Sequence, residues 1–99
     1  MLRHVVVFNW KPGTAAGDVD ALRAGLAELP GRIPEIRVYS FGPDAGVGSQ
    51  NADFALVADF DDADSFRRYV AHPDHQALIA DLVAPIVATR QAVQFVVDG

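Results

Sequence analysis

The stretch Leu2-Arg-His-Val-Val-Val-Phe-Asn-Trp10 decides the fold. It is rich in β-branched and aromatic residues and runs into Lys-Pro-Gly, a turn signal, so it predicts a β-strand over residues 2–10. Side chains alternate across a strand, which places Val5 and Val7 on one face and the even-numbered residues on the other. Both faces are largely apolar. We therefore expect this strand to be covered on both sides.

The chain as a whole is short for the apolar surface it carries. Its 99 residues predict a single domain over residues 1–99, and 51% of them are hydrophobic. A domain of this size has a limited core, so the surplus of apolar residues predicts self-association. A homodimer is the simplest form of it.

Charge and residue usage exclude several classes of protein. The net charge of −5 argues against binding to nucleic acid or to anionic membranes, both of which require a basic face. The absence of cysteine excludes disulfides and thiolate-ligated metals. No apolar run reaches the roughly 20 residues of a membrane span. The apolar start could be read as a signal peptide, but Asn9 to Pro12 interrupt it, so we expect a cytoplasmic protein.

The rest of the chain alternates between helical and strand periodicity. Asp62 is a candidate cap for one helix, Thr14 or Asp18 for another, and Pro30 and Pro73 should end helices. The predicted helices span residues 18–29, 63–71 and 74–83, the further strands span residues 36–41, 54–60 and 92–97, and a glycine-rich loop spans residues 42–52.

This order is β-α-β-β-α-β, with the second helical segment broken at Pro73. It predicts an α+β, ferredoxin-like fold in which helices cover one face of a four-stranded antiparallel sheet. A second copy would cover the other face and close an α/β barrel. We expect Leu56→Asp to abolish this dimer. The predicted lining of the barrel interior is His4, Val6, Phe8, Tyr39, Phe41, Phe54 and Leu56.

The segment Tyr69-Val-Ala-His72-Pro-Asp-His75 concentrates groups that can move protons. His75 follows the proline, where the positive end of a helix disfavours the imidazolium and keeps the ring available as a base. Tyr69 could donate a hydrogen bond to a developing enolate oxygen. The alternatives are a histidine that bonds a backbone group at a helix start and a core tyrosine.

The remaining histidines have less specific surroundings. His4 shares the apolar face of the first strand, so it should be buried and needs a polar partner or a ligand. His72 is a candidate helix cap or cavity residue. Together with His75 and Asp74 it could hold a metal, but a third strong ligand is lacking, so we predict neither a metal nor a cofactor.

Several segments also resemble the stress-responsive dimeric α/β-barrel (Dabb) domain family. They occur in the family's order and extend over nearly the whole chain. The resemblance implies a homodimer with an interior able to hold a small apolar molecule. The matching segments are His4-Val-Val-Val-Phe8, Lys11-Pro-Gly13, Leu29-Pro-Gly-Arg-Ile-Pro-Glu-Ile36, Ala55-Leu-Val-Ala-Asp-Phe60 and Tyr69-Val-Ala-His-Pro-Asp-His-Gln76.

The family includes a plant polyketide cyclase, olivetolic acid cyclase, which performs a cofactor-free aldol condensation. By resemblance, its catalytic tyrosine and histidine fall on Tyr69 and His75, and a cavity histidine falls on His4. Its pocket differs elsewhere, so its substrate does not carry over. The differing positions are Leu26, Phe54 and Ile86, where the cyclase has tyrosine, histidine and tryptophan.

Two functional classes follow from these observations. The first is a stress-associated homodimer that binds a small apolar or aromatic compound in a cavity, or acts through its stability alone. The second is a cofactor-free enzyme acting on a polyketide-like or aromatic substrate, with His75 as base and Tyr69 as hydrogen-bond donor. Its reaction would be a polyketide cyclase-like aldol condensation or, by analogy of fold only, a monooxygenation.

Overall fold

A computed structural model describes residues 1–98 as one antiparallel sheet with helices packed on one of its faces. The chain forms β1 (Leu2–Trp10), α1 (Ala16–Arg32), β2 (Val38–Pro43), β3 (Phe54–Phe60), α2 (Ala63–Ala71), α3 (Pro73–Leu78), a π-helical turn (Ile79–Val83) and β4 (Val87–Val96). The strand order is β2-β3-β1-β4. The predicted ferredoxin-like fold and its β-α-β-β-α-β order are confirmed, and β1, β3 and α2 have the predicted bounds.

Several element boundaries differ from the prediction. α1 continues through Pro30, because the buried side chains of Leu29 and Ile33 hold its last turn and the Ile33 amide bonds the Leu29 carbonyl at 2.8 Å. β2 begins at Val38 and β4 begins at Val87, five residues before the predicted start. The early part of β4 is polar because it lies on an edge of the sheet, so its sequence lacked the expected apolar alternation.

The helix caps follow local hydrogen bonding. Asp62 caps α2 as predicted, accepting the Ser65 amide at 2.8 Å. His72 caps α3, its Nδ1 accepting the Asp74 amide at 3.1 Å. The predicted cap of α1 is wrong: Ala15 holds that position without a side-chain bond, and the Thr14 hydroxyl donates to the Lys11 carbonyl instead.

The core lies between the sheet and the helices. β1 and β3 pair with Val6 opposite Leu56 and Phe8 opposite Phe54, and all four side chains are buried under α1, α2 and α3. Gly25 brings α1 close to the last helical segment, since a Cβ at this position would lie 2.8 Å from Leu82 Cδ1. At one end of this layer the only tryptophan, Trp10, stacks on Phe8 and packs against Phe54.

The expectation that this face lines the space between two sheets is wrong. His4, Val6, Phe8, Tyr39, Phe41, Phe54 and Leu56 share the face that the chain's own helices cover. The opposite face carries Val5, paired with Val57 on one side and Val93 on the other, and no helix packs on it within residues 1–98. We refer to this second surface as the open face. Period-two alternation separates the two faces but does not tell which one the helices take.

The Leu56→Asp substitution therefore tests the folding of the protomer and not the formation of a dimer. Leu56 is 3% exposed beneath the helices. A carboxylate there has no partner, so we expect a loss of more than about 4 kcal/mol of unfolding free energy and an unfolded chain. Circular dichroism measures it, with Val47→Asp in the exposed loop as the control. A cooperatively folded Leu56→Asp protein would contradict the assignment of this face.

Candidate functional site

A cavity of about 100 Å³ lies between the sheet and the helices. Its wall is mostly apolar, with a tyrosine, two histidines and an arginine among the aliphatic and phenylalanine side chains. The residues that form it are His4, Val6, Phe8, Leu22, Leu26, Leu56, Phe66, Tyr69, Val70, His75, Leu78, Ile79, Val83 and Arg90.

The cavity wall contains some of the predicted site residues and not others. His4, Val6, Phe8, Leu56, Tyr69 and His75 belong to it. Phe41 and Phe54 instead stack on each other beside the cavity, and Tyr39 reaches it only through the Tyr69 hydroxyl. His72 is engaged as the cap of α3. It is not among the residues that form the cavity wall, so its predicted place there is wrong.

The break at Pro73 brings Tyr69 and His75 together. α2 ends at Ala71, and the chain turns at His72 before α3 begins. The rings of Tyr69 and His75 consequently lie 4.3 Å apart between centroids, tilted by 47°. A continuous helix would separate positions six residues apart by more than a turn and a half, and would place them on different faces.

His75 is oriented by the end of α2. Its Nδ1 lies 3.3 Å from the Val70 carbonyl, which can only accept, so Nδ1 carries the proton and Nε2 keeps a free lone pair. Burial, and then the positive charge of Arg90, lowers the pKa of His75 although the Val70 carbonyl opposes the shift. The ring is therefore neutral at pH 7 and can accept a proton at Nε2.

Tyr69 is buried and bonded to a second phenol. Its hydroxyl lies 2.7 Å from the Tyr39 hydroxyl. Burial raises the pKa of Tyr69 to about 12, with Tyr39 and Arg90 opposing the shift, and burial also raises the pKa of Tyr39. Both phenols are protonated at neutral pH. When Tyr39 donates the shared hydrogen bond, the Tyr69 proton is free for a group in the cavity.

His4 has the polar partner that its buried position requires. Gln94 on β4 lies directly opposite it, and the Gln94 amide nitrogen donates to His4 Nδ1 at 2.8 Å. This bond fixes the proton of the neutral ring on Nε2. Burial, followed by the charges of Arg90 and His75, lowers the pKa of His4 to about 4. Gln94 therefore satisfies Nδ1 without a ligand.

Sequence reasoning missed Arg90. It lies opposite Phe8 on β4, so it shares the face of the sheet that carries His4 and Val6. Alternation along β4 places Arg90 on the same face as Ala92 and Gln94. This pattern could have identified Arg90, but the predicted strand began only at residue 92. Among residues 1–98, no three His, Asp or Glu side chains gather into a group that could hold a metal ion.

The sequence matches the model of the stress-responsive A/B barrel domain over residues 2–97. The chain belongs to this family. It is 34% identical over 86 residues to an uncharacterised protein of Streptomyces coelicolor, a match that covers 81% of this chain and 84% of that protein. This family membership agrees with the resemblance seen in the sequence segments 4–8, 55–60 and 69–76.

Solved structures with the same fold extend the comparison. A dimeric ferredoxin-like protein of unknown function from Thermobifida fusca is 44% identical, with a TM-score of 0.90 over 97% of this chain and 90% of that chain. A hydroxynitrile lyase from Passiflora edulis is 18% identical, with a TM-score of 0.84 over 98% of this chain and 93% of its own. The similarity to the hydroxynitrile lyase concerns the fold alone. In residues 1–98 of the present chain, no helix combines the length and apolarity of a membrane span.

The titration of His4 should make the free energy of unfolding depend on pH. The unfolded state takes up a proton near pH 6.5 and the folded state only near pH 4, so this contribution to the free energy of unfolding is full above pH 6.5 and is lost as the pH drops from 6.5 to 4. We expect a loss of about 2 to 3 kcal/mol between pH 7 and 4.5, to which His75 adds in the same direction. Urea unfolding measures it.

His4→Gln is the matched variant, because it retains a polar group beside Gln94 but cannot titrate. Its unfolding free energy should change with pH by clearly less than that of the parent protein. An equal pH dependence in both proteins would contradict the burial of a neutral His4.

Proposed function

We propose that this stress-responsive A/B barrel protein is a cytoplasmic homodimer that binds a small, mainly apolar molecule in the cavity of each protomer. The cavity itself carries the proposal. It is lined by aliphatic and aromatic side chains, and its polar groups gather around Tyr69, His75 and His4. An apolar wall with a few convergent polar groups is the usual composition of a small-molecule site.

The size of the cavity limits the ligand. An engineered apolar cavity of about 150 Å³ binds benzene, and each water in the liquid occupies about 30 Å³. The volume of about 100 Å³ here suits a single ring or a short chain, with any further part of the ligand extending outwards between Val70 and Ile79. Both of these side chains are more than a third exposed.

Filling the cavity should prevent binding. Leu26 is buried in the cavity wall, and Leu26→Phe adds a ring where the ligand would lie. Toluene is a suitable probe, followed by chemical-shift changes in amide NMR spectra. We expect shifts at the cavity residues of the parent protein and at least about tenfold weaker binding by the variant. Val47→Phe in the exposed loop is the control of equal size.

Saturable shifts in Leu26→Phe equal to those of the parent would place the probe elsewhere and refute the cavity as the binding site. The variant is first compared with the parent by circular dichroism, since overpacking a core costs about 1–3 kcal/mol.

A second candidate function is cofactor-free catalysis of proton transfer at carbon. The observation that favours it is the close approach of the Tyr69 ring and a neutral His75 ring within one cavity. His75 Nε2 would remove a proton next to a carbonyl, and the Tyr69 hydroxyl would donate to the enolate oxygen that forms. Such a step begins an aldol condensation and needs no cofactor. Nothing in this geometry favours a monooxygenase.

Hydrogen–deuterium exchange tests this chemistry without knowledge of the substrate. The α-protons of acetophenone in D₂O should exchange faster with the parent protein than with buffer of matched pH. His75→Gln and Tyr69→Phe should each lower the catalysed rate by about 100-fold or more. Arg23→Gln is the control because Arg23 is exposed on α1 and lies outside the cavity wall. Equal rates in all four proteins would exclude this function for the pair.

The homodimer is proposed to form through the open face. Val5, Val57 and Val93 make a continuous apolar row across three strands, and Phe95 and Val38 on the same face are each 45% exposed. Such a surface is unusual on a monomer. At its margin, Arg3 and Asp59 form a bidentate ion pair at 2.8 and 2.9 Å. The dimeric relative from Thermobifida fusca supports this assembly.

Val5→Asp should separate the two protomers without unfolding them. Val5 is central on the open face, so a carboxylate there would be buried unpaired against the second sheet. Light scattering should report a dimer for the parent and a monomer for Val5→Asp, while circular dichroism stays unchanged. Val47→Asp serves as the exposed control. A dimeric Val5→Asp protein would refute this interface.

A further inference from the structure

The cavity has a cationic group at one edge. Arg90 lies opposite Phe8 on the edge strand β4, and its side chain contributes to the cavity wall although the residue is exposed overall. It therefore lies between the apolar interior and solvent. His4 and His75 are both close enough for its positive charge to lower their pKa values.

No negative charge in the cavity balances this arginine. The cavity wall contains no Asp or Glu, and the two histidines and Tyr69 are neutral at pH 7. Arg90 also has no carboxylate partner within residues 1–98. Five of the other arginines each form an ion pair with an Asp or Glu, namely Arg3, Arg32, Arg37, Arg67 and Arg68. Within residues 1–98 only Arg23 shares the lack of a carboxylate partner, and it is exposed on α1 outside the cavity wall.

We infer that Arg90 recognises an anionic group on the ligand, and that the ligand of this cavity is a small apolar monocarboxylate. The inference rests on the proposed binding function and narrows it to a chemical class. The apolar part of such a molecule fits among Phe8, Leu26 and Leu56, and the carboxylate reaches the guanidinium at the rim.

The geometry and charge favour a carboxylate over a phosphate. A guanidinium presents a planar pair of N–H donors that matches the two oxygens of a carboxylate. Arg90 is the only permanent cation of the cavity wall, whereas a phosphate dianion usually requires several donors or a second cation. The volume of about 100 Å³ also leaves room for one ring or a short chain and no larger group.

Benzoate and benzamide form a matched pair of probes. They have the same ring and nearly the same shape, but only benzoate carries a charge. Calorimetric or NMR titration at low ionic strength should show benzoate binding to the parent protein at least about tenfold more tightly than benzamide. Added salt should reduce this preference, because the guanidinium is partly open to solvent.

Variants at Arg90 separate charge recognition from packing. Arg90→Gln should weaken benzoate binding about tenfold or more and leave benzamide binding within about twofold. Arg90→Lys should retain part of the preference, since it keeps the charge but loses the bidentate fork. Arg23→Gln, an exposed position on α1 outside the cavity wall, should change neither affinity.

Each other result has a defined meaning. If the parent binds benzamide as tightly as benzoate, the inference is overturned and the apolar site stands. If Arg90→Gln weakens both probes equally, Arg90 is structural and the inference is likewise overturned. If none of benzoate, benzamide and toluene binds, the proposed binding function and the carboxylate inference are both overturned. If toluene binds and neither benzoate nor benzamide does, the carboxylate assignment alone is overturned.

Discussion

The structure depends on one constraint: β1 is apolar on both faces, but the chain has helices enough for only one of them. The helices cover the face with His4, Val6 and Phe8, and this layer contains both the core and the cavity. The face with Val5 and Val7 stays open in the protomer. The cavity and the proposed dimer interface therefore lie on opposite sides of the same sheet, and neither contains the other.

The proline break supplies the local geometry of the site. Pro73 has no amide hydrogen to donate, so α2 ends and the chain must restart its helix. His72 caps α3. The Val70 carbonyl at the end of α2 accepts a hydrogen bond from His75 Nδ1, and the His75 ring packs against Tyr69. Three features of one short segment thus cooperate to hold a neutral imidazole beside a protonated phenol.

Much of this arrangement could be predicted from the sequence. Periodicity and turn residues identified every helix and strand, and the spacing of Tyr69 and His75 around Pro73 identified the pair that meets in the cavity. The side of the sheet that the helices occupy could not be predicted, because both faces of β1 are apolar and alternation alone is symmetric. Arg90 was missed because a charged residue on an edge strand resembles an ordinary solvated position.

The packing of Trp10 against Phe8 and Phe54 has a practical consequence. Trp10 is the only tryptophan of the chain, and its ring touches the end of the layer in which the cavity lies, because Phe8 belongs to both. Indole emission depends on the polarity and packing around the ring. The protein thus contains a built-in fluorophore at the border of its binding layer, and its intrinsic emission reports on that layer without labelling.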